Sequence, residues 1–153
     1  MEKGDIEILM IEDDLADAEL ATRAFRKNRL VNKIRIIHDG KEALEYLFSS
    51  GVHSGRNPAQ MPVLILLDLK LPGMDGIEVL RQVRLDPRTK SLPVIVMTSS
   101  KDEQDVVRSS KLHINGYILK PVDYDQFVDT VSRLAVSWLI LDAPPSEEVF
   151  SKM

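Results

Sequence analysis

Several apolar runs in the sequence are each followed directly by side chains that could take part in one reaction. Three acidic residues at positions 12–14 follow the first run, and Asp68, Thr98 and Lys120 follow three later runs. Oxygen ligands from neighbouring carboxylates suit a hard divalent cation such as Mg²⁺. A carboxylate can also act as a nucleophile, while an ammonium group and a hydroxyl can stabilise the outer oxygens of a phosphoryl group. Together these residue types suit phosphoryl transfer onto an aspartate.

Each of these residues has an ordinary structural explanation when it is taken alone. Asp14 stands where a helix N-cap belongs, and Asp17 follows at the spacing of a capping box. A single aspartate after a strand is commonly a solvated turn residue, and a lysine before a proline commonly lies on the surface. If each of these explanations held, four separate places in the chain would carry such groups by coincidence. The sequence therefore favours one shared site.

The elements that must bring these residues together alternate between short apolar runs and longer amphipathic stretches. The apolar runs predict strands at residues 6–11, 33–37, 63–67, 94–97 and 116–119. The amphipathic stretches predict helices at residues 15–29, 40–50, 75–86, 102–112 and 123–141. Such alternation is typical of an α/β fold in which helices cover both faces of a parallel sheet.

The polarity of the strands predicts their order. The first, third and fourth strands are continuously apolar, as central parallel strands are, whereas Lys33 and Arg35 suit an edge. We therefore expect a flavodoxin-like, doubly wound, five-stranded sheet in the order 2-1-3-4-5, with five helices. In such a sheet ligands bind at the carboxyl ends of the strands, where the polar groups described above lie.

Composition narrows the class of protein further. The 153 residues, 44% of them hydrophobic and 29% charged, predict one globular domain over residues 6–141, with an N-terminal extension at 1–5 and a C-terminal tail at 142–153. The absence of cysteine excludes disulfides and thiolate metal sites and favours a cytoplasmic location. A net charge of −4 argues against nucleic-acid binding, and the apolar runs are too short to cross a membrane.

The motifs at the strand ends resemble those of the receiver domain of two-component response regulators. The resemblance covers roughly residues 6–141, and 30 positions separate Asp68 from Thr98 while 52 separate it from Lys120, as in that family. The matching segments are IEDD at 11–14, LLDLKLPGMDG at 66–76, MTSS at 97–100 and GYILKP at 116–121.

This resemblance implies a role for each residue of the site. Asp68 would be the phosphoacceptor, Thr98 and Lys120 would bind the phosphoryl oxygens, and Tyr117 would turn inward as a switch when Thr98 moves. The implied Mg²⁺ ligands are Asp13, Asp68, the backbone carbonyl of Lys70 and, mainly through a water molecule, Glu12. The family's pattern also implies a cis Lys120–Pro121 bond and a phosphate lifetime set by Lys70 and Ser100.

The expected function is that of a single-domain response regulator, not an enzyme in its own right, that is phosphorylated by a sensor histidine kinase. The polar loop at residues 51–61 and the Trp138-Leu139 pair resemble the small receivers that partner phytochrome-type kinases. The fourth helix has few apolar residues, chiefly Val106 and Val107, to anchor it to the sheet. We therefore expect the surface that changes on phosphorylation to include this helix, the fifth strand and the fifth helix.

The fifth helix carries an apolar stripe broad enough for two explanations. The helix could simply pack on its sheet, with Trp138 covering the base, or it could form a homodimer with the fourth helix as a second contributor; we expect the dimer. The stripe comprises Phe127, Val131, Leu134 and Trp138, broadened by Val128, Ala135, Leu139 and Ile140.

Other classes of protein remain as alternatives. A pseudo-receiver that acts as a constitutive scaffold would be expected to lose a site residue, yet Asp13, Asp68, Thr98 and Lys120 are all present. An aspartyl-phosphate phosphatase usually needs a second acid where this chain has Lys70. A flavodoxin would need a phosphate loop after the first strand, where the acidic residues repel phosphate. The three histidines, His38, His53 and His113, share no metal-binding motif and are expected on the surface or in loops.

Overall fold

Five parallel strands form a single sheet in the order β2-β1-β3-β4-β5, as the sequence predicts. The computed structural model describes residues 7–27, 33–99, 101–120 and 123–138. Within these ranges the strands are β1 (Glu7–Ile11), β2 (Lys33–Ile37), β3 (Leu64–Asp68), β4 (Val94–Thr98) and β5 (Gly116–Leu119). Each boundary lies within one residue of the prediction, and the flavodoxin-like α/β fold is confirmed.

Burial along the strands explains this order. Every residue of β3 and β4 is buried, because helices cover both faces of the sheet at its centre. In β2 the burial alternates, and Lys33 and Arg35 are exposed at the sheet edge, where a charged side chain can reach water. The predicted edge position of β2 is therefore confirmed.

Five α-helices connect the strands, and most end earlier than the amphipathic spacing predicts. They are α1 (Leu15–Lys27), α2 (Gly40–Phe48), α3 (Gly76–Leu85), α4 (Lys101–Ser109) and α5 (Tyr124–Trp138). Helix α2 ends at Phe48 because Ser49 takes a left-handed conformation with φ of 51°. Helix α4 ends at Ser109, three residues before the predicted end at 112, and Lys111 just beyond it has a left-handed φ of 61°. The predicted ends of the first and last helices, at 29 and 141, lie outside the described residues.

The helices divide between the two faces of the sheet. Helices α1 and α5 cover one face, and α2, α3 and α4 cover the other. On the first face Phe25 of α1 meets Phe127 of α5 edge-to-face, with ring centroids 5.9 Å apart. Phe127 is fully buried. The expectation that it contributes to an exposed dimer surface is therefore wrong, because the ring fills the core between two helices.

Helix α4 is anchored as thinly as the sequence predicts. Val107 is buried against the sheet, whereas Val106 is 50% exposed. Thin apolar anchoring lowers the cost of moving an element as a unit. Among its described side chains, α4 buries fewer apolar groups on this face than α2 or α3 does.

The loop after α2 is polar, as predicted, but it is held in place by side-chain contacts. It begins with a short 3-10 turn, Gly51–His53, and the His53 Nε2 lies 2.9 Å from a Glu42 carboxylate oxygen. The Arg56 guanidinium lies 4.1 Å from the centre of the Tyr46 ring and donates to the Tyr46 carbonyl at 2.9 Å. The loop therefore packs along α2, where it contacts Glu42 in the first turn and Tyr46 near the end of the helix.

No helix within the described ranges has the length and apolar character needed to cross a bilayer.

Candidate functional site

Backbone hydrogen bonds extend the sheet past the strand ends and so orient the residues that follow them. The Glu12 N–H donates to the Ile37 carbonyl at 3.0 Å, and the Lys120 N–H donates to the Thr98 carbonyl at 2.8 Å. Asp68 is the last residue of β3 and pairs in register with Met97. The four predicted strand ends therefore lie side by side at one edge of the sheet.

Three carboxylates meet at this edge. Glu12, Asp13 and Asp68 can each offer an oxygen such that all three atoms lie within 4.8 Å of one another. Glu12 is fully buried and Asp68 is 3% exposed, whereas Asp13 faces solvent. Such a cluster of hard oxygen ligands, open on one side, is what Mg²⁺ prefers in proteins.

One oxygen atom of the cluster gives particular evidence for a cation site. Glu12 Oε2 is buried and, among the residues that the structure describes, has no hydrogen-bond partner. A buried carboxylate oxygen without a partner is costly, and a divalent cation would compensate it. The donor set and this oxygen together fit Mg²⁺, as the sequence predicts.

Lys120 neutralises part of this negative charge. Its side chain is 15% exposed, and its ammonium group lies 2.7 Å from Glu12, 2.9 Å from Asp68 and 3.1 Å from Asp17. Burial by itself lowers the pKa of Lys120, but the hydrogen bonds to the three carboxylates outweigh burial and leave the pKa raised. Lys120 is therefore a fixed positive charge beside the predicted phosphoacceptor.

Glu12 behaves differently from an exposed glutamate. Its burial raises the pKa of Glu12 from 4.5 to about 7, although the hydrogen bond from Lys120 opposes this, and the charge of Asp68 adds to the rise. A neutral Glu12 relieves the repulsion among the carboxylates. The binding of a cation would instead favour the ionised form.

Thr98 is fully buried at the end of β4, and its hydroxyl donates to Glu103 Oε2 at 2.5 Å. Glu103 belongs to the first turn of α4, and its other carboxylate oxygen lies 3.4 Å from the Lys70 ammonium. Lys70 in turn donates its N–H to Asp68 Oδ1 at 3.0 Å. A chain of contacts therefore joins the acceptor loop, Glu103 and Thr98.

Sequence reasoning missed Asp17 and Glu103 as site residues. Asp14 caps α1 as predicted, since its carboxylate accepts from the N–H groups of Ala16 and Asp17. The capping-box role predicted for Asp17 is wrong, because the Asp17 carboxylate contacts Lys120 while the N–H of Asp14 donates to Glu12 Oε1. No local pattern signals the Asp17 contact, because only the fold brings α1 next to Lys120.

The loop after β3 packs closely against the acceptor. Gly73 has φ of 75°, a conformation that favours glycine, and Asp75 caps α3 by accepting from the Ile77 N–H at 2.9 Å. A Cβ on Gly76 would lie 2.5 Å from the Asp68 carbonyl oxygen and 2.6 Å from the Leu69 Cα. Glycine at position 76 therefore allows α3 to approach the backbone that carries Asp68.

The site opens into a cavity of about 720 Å³ between this loop and α4. Asp13 and Lys70 line it with polar groups, and Pro72, Ile77 and Val106 give it apolar walls. The cavity therefore adjoins the acidic cluster at Asp13.

The predicted switch residue Tyr117 is half-buried on β5. It packs against the hydrophobic cluster beneath α2, α3 and α4, and the Arg108 guanidinium lies 5.7 Å from the centre of its ring. Thr98 and Tyr117 therefore both contact residues of α4. Two residues named above, Ser100 and Pro121, lie outside the described part of the chain.

The sequence pattern of the response regulator receiver domain matches residues 8–132. The chain belongs to this family. Phosphorylation and dependence on Mg²⁺ follow from this membership, and receiver domains interact with sensor histidine kinases. The response regulator has five parallel strands and a cluster of acidic residues at the expected edge.

Three relatives illustrate the likeness. The probable methanogenesis regulatory protein FilR2 of Methanothrix harundinacea is 38% identical over 132 residues, which are 86% of this chain and 83% of the relative. The bacteriophytochrome response regulator RtBRR has a structure that matches with a TM-score of 0.79 and 41% identity, over 96% of this chain and 89% of that one.

The third relative, the response regulator Rcp1 of Synechocystis, is 35% identical over 132 residues, which are 86% of this chain and 88% of the relative. Its Mn²⁺-bound crystal structure matches with a TM-score of 0.74 and 33% identity, over 92% of this chain and 99% of that one. A divalent cation therefore binds a relative of the same fold.

Proposed function

We propose that the chain is a response regulator whose Asp68 accepts a phosphoryl group from a phosphohistidine of a sensor histidine kinase. A bond forms between an Asp68 carboxylate oxygen and phosphorus, while the bond from phosphorus to the histidine nitrogen breaks. The electron pair of the broken bond stays on the imidazole. The observation that carries this proposal is the Lys120 ammonium, which lies 2.9 Å from Asp68 and 2.7 Å from Glu12.

Each residue around Asp68 has a part in this step. Mg²⁺ would be held by Asp13, Asp68, the Lys70 carbonyl and, mainly through a water molecule, Glu12, and it would reduce the repulsion between the carboxylates and the incoming phosphoryl oxygens. Lys120 neutralises one phosphoryl oxygen, and the Thr98 hydroxyl donates a hydrogen bond to another.

The product remains attached to the protein, so the chain is a phosphoacceptor that assists its own phosphorylation and dephosphorylation and not a turnover enzyme. One of the relatives supports a place downstream of a phytochrome-type photoreceptor kinase, since RtBRR is named a bacteriophytochrome response regulator. The absence of cysteine from the sequence supports a location in the cytoplasm. Phosphotransfer from such a kinase to this chain, but not to Asp68→Asn, is the expected result.

The structural change caused by phosphorylation would be transmitted from the site to α4 and β5. Thr98 moves toward the phosphoryl group, and Tyr117 fills the space that it vacates. Helix α4 responds because Val107 is its main buried anchor. Hydrogen exchange with and without the phosphoryl mimic beryllofluoride should show changes in α4 and β5; changes confined to the loop after Asp68 would contradict this mechanism.

Homodimerisation is part of the same proposal. Leu119 at the end of β5 is 54% exposed, and a small groove beside it is lined by Tyr117, Gln126 and Thr130. The side chains of Val131, Leu134 and Trp138 lie outside those described. Sedimentation velocity should detect a dimer that Leu119→Ser weakens, and a monomeric parent at high concentration would contradict the proposal.

Mass spectrometry of the intact protein tests the acceptor. Incubation with Mg²⁺ and acetyl phosphate should add one phosphoryl group, with acetate as the leaving group. Asp68→Asn should abolish the gain in mass. Asp14→Asn is the matched control and should retain it, because asparagine can still cap α1. Full labelling of Asp68→Asn would refute the assignment.

A further inference from the structure

Among the described residues, Glu103 is the one acidic residue of α4 that contacts a buried side chain of the site, that of Thr98. We infer that Glu103 is a positioning residue that holds Thr98 away from the acceptor and thereby sets how readily the site binds a phosphoryl group. This inference rests on the proposed phosphorylation of Asp68.

The geometry ties Glu103 to two sides of the site. The Thr98 hydroxyl donates to one Glu103 oxygen at 2.5 Å, and the Lys70 ammonium lies 3.4 Å from the other. Thr98 is fully buried, whereas the Glu103 side chain is 17% exposed. Glu103 therefore links the end of β4 to the loop that follows β3.

A threonine hydroxyl carries a single proton, so it can donate to only one acceptor at a time. In this structure the acceptor is Glu103, and hydrogen bonds to ionised acceptors are among the stronger ones. A phosphoryl group on Asp68 can receive the Thr98 proton only after Thr98 releases Glu103. The two acceptors therefore compete for one hydroxyl.

The charge of the phosphoryl group favours this exchange. Phosphorylation adds roughly −1.5 to −2 charges. The charged phosphoryl oxygens are strong hydrogen-bond acceptors, so they compete with the Glu103 carboxylate for the Thr98 proton. Release of Thr98 frees the first turn of α4 from β4. The exchange thus converts a change at Asp68 into a change at α4.

Beryllofluoride titration in the presence of Mg²⁺, followed by isothermal calorimetry on the whole chain, measures the competition directly. Glu103→Ala should bind beryllofluoride about five- to tenfold more tightly than the parent, because a charge-assisted hydrogen bond no longer opposes binding. Glu103→Gln keeps an acceptor of the same size without the charge and should fall between the two. Asp105→Ala removes an exposed acidic residue of the same helix and should match the parent.

A double-mutant cycle with Thr98→Val separates competition for the hydroxyl from a general loss of negative charge. In the Thr98→Val background, Glu103→Ala should change the affinity by less than about twofold, since no hydroxyl is left to release. The same gain in both backgrounds would overturn the inference, as would unchanged or weaker binding by Glu103→Ala. A parent that neither binds beryllofluoride nor gains phosphoryl mass would instead refute the proposed function itself.

Discussion

The protonation of Glu12 should control how the stability of the metal-free protein depends on pH. Burial raises the pKa of Glu12 from 4.5 to about 7 in the folded state. Between these two values the folded protein holds a proton that the unfolded chain has lost. Stability then falls as pH rises, because the folded state binds more protons than the unfolded state.

The size of the effect follows from the same two values. Each pKa unit corresponds to about 1.4 kcal/mol, so the rise to about 7 removes up to about 3 kcal/mol of unfolding free energy between pH 4.5 and pH 7. Saturating Mg²⁺ should reduce this loss, because the cation stabilises the ionised carboxylate and adds its own binding free energy.

Urea unfolding in the presence of a chelator, at pH 5 and at pH 8, measures this difference. Glu12→Gln is the matched variant, since it keeps the size of the side chain and an oxygen that Lys120 can reach, but it does not titrate. The parent should lose about 2–3 kcal/mol more than the variant between the two conditions. Parallel pH profiles for the two proteins would refute the assignment of a raised pKa to Glu12.

Three further substitutions test other parts of the account. Asp13→Asn should weaken Mg²⁺ binding at least about tenfold in a calorimetric titration, because it removes a charged oxygen ligand, while Asp14→Asn should leave the affinity unchanged. Gly76→Ala should lower the melting temperature and slow labelling by acetyl phosphate, because its Cβ would lie 2.5 Å from the Asp68 carbonyl oxygen; an unchanged labelling rate would contradict this. Phe127→Ala should lower the free energy of unfolding by about 3–5 kcal/mol in urea, and a loss under 1 kcal/mol would show that the ring does not fill the core.

The fold followed closely from local patterns. Continuous apolar runs mark β3 and β4 because both faces of each strand are buried, and the charges of Lys33 and Arg35 mark β2 as an edge. Helix ends were less predictable. The helical spacing continues past Phe48, and only the left-handed conformation of Ser49 ends α2 there.

The residues that follow the strands were predictable for a topological reason, since parallel strands bring their carboxyl ends to one edge. Contacts between distant elements were not. Asp17 lies next to Lys120 only because α1 and β5 are both placed beside the site, and no local pattern encodes that pair. Likewise, the width of the apolar stripe on α5 does not show which of its side chains are buried. The surface position expected for Phe127 was wrong for this reason.

Localising the phosphoryl group tests the central claim most directly. The protein would be labelled with acetyl phosphate and Mg²⁺, reduced with borohydride, which converts an aspartyl phosphate into homoserine, and digested for tandem mass spectrometry. The account predicts homoserine at position 68 alone. Homoserine at position 13 or 14, or full phosphorylation with an unmodified Asp68, would contradict it.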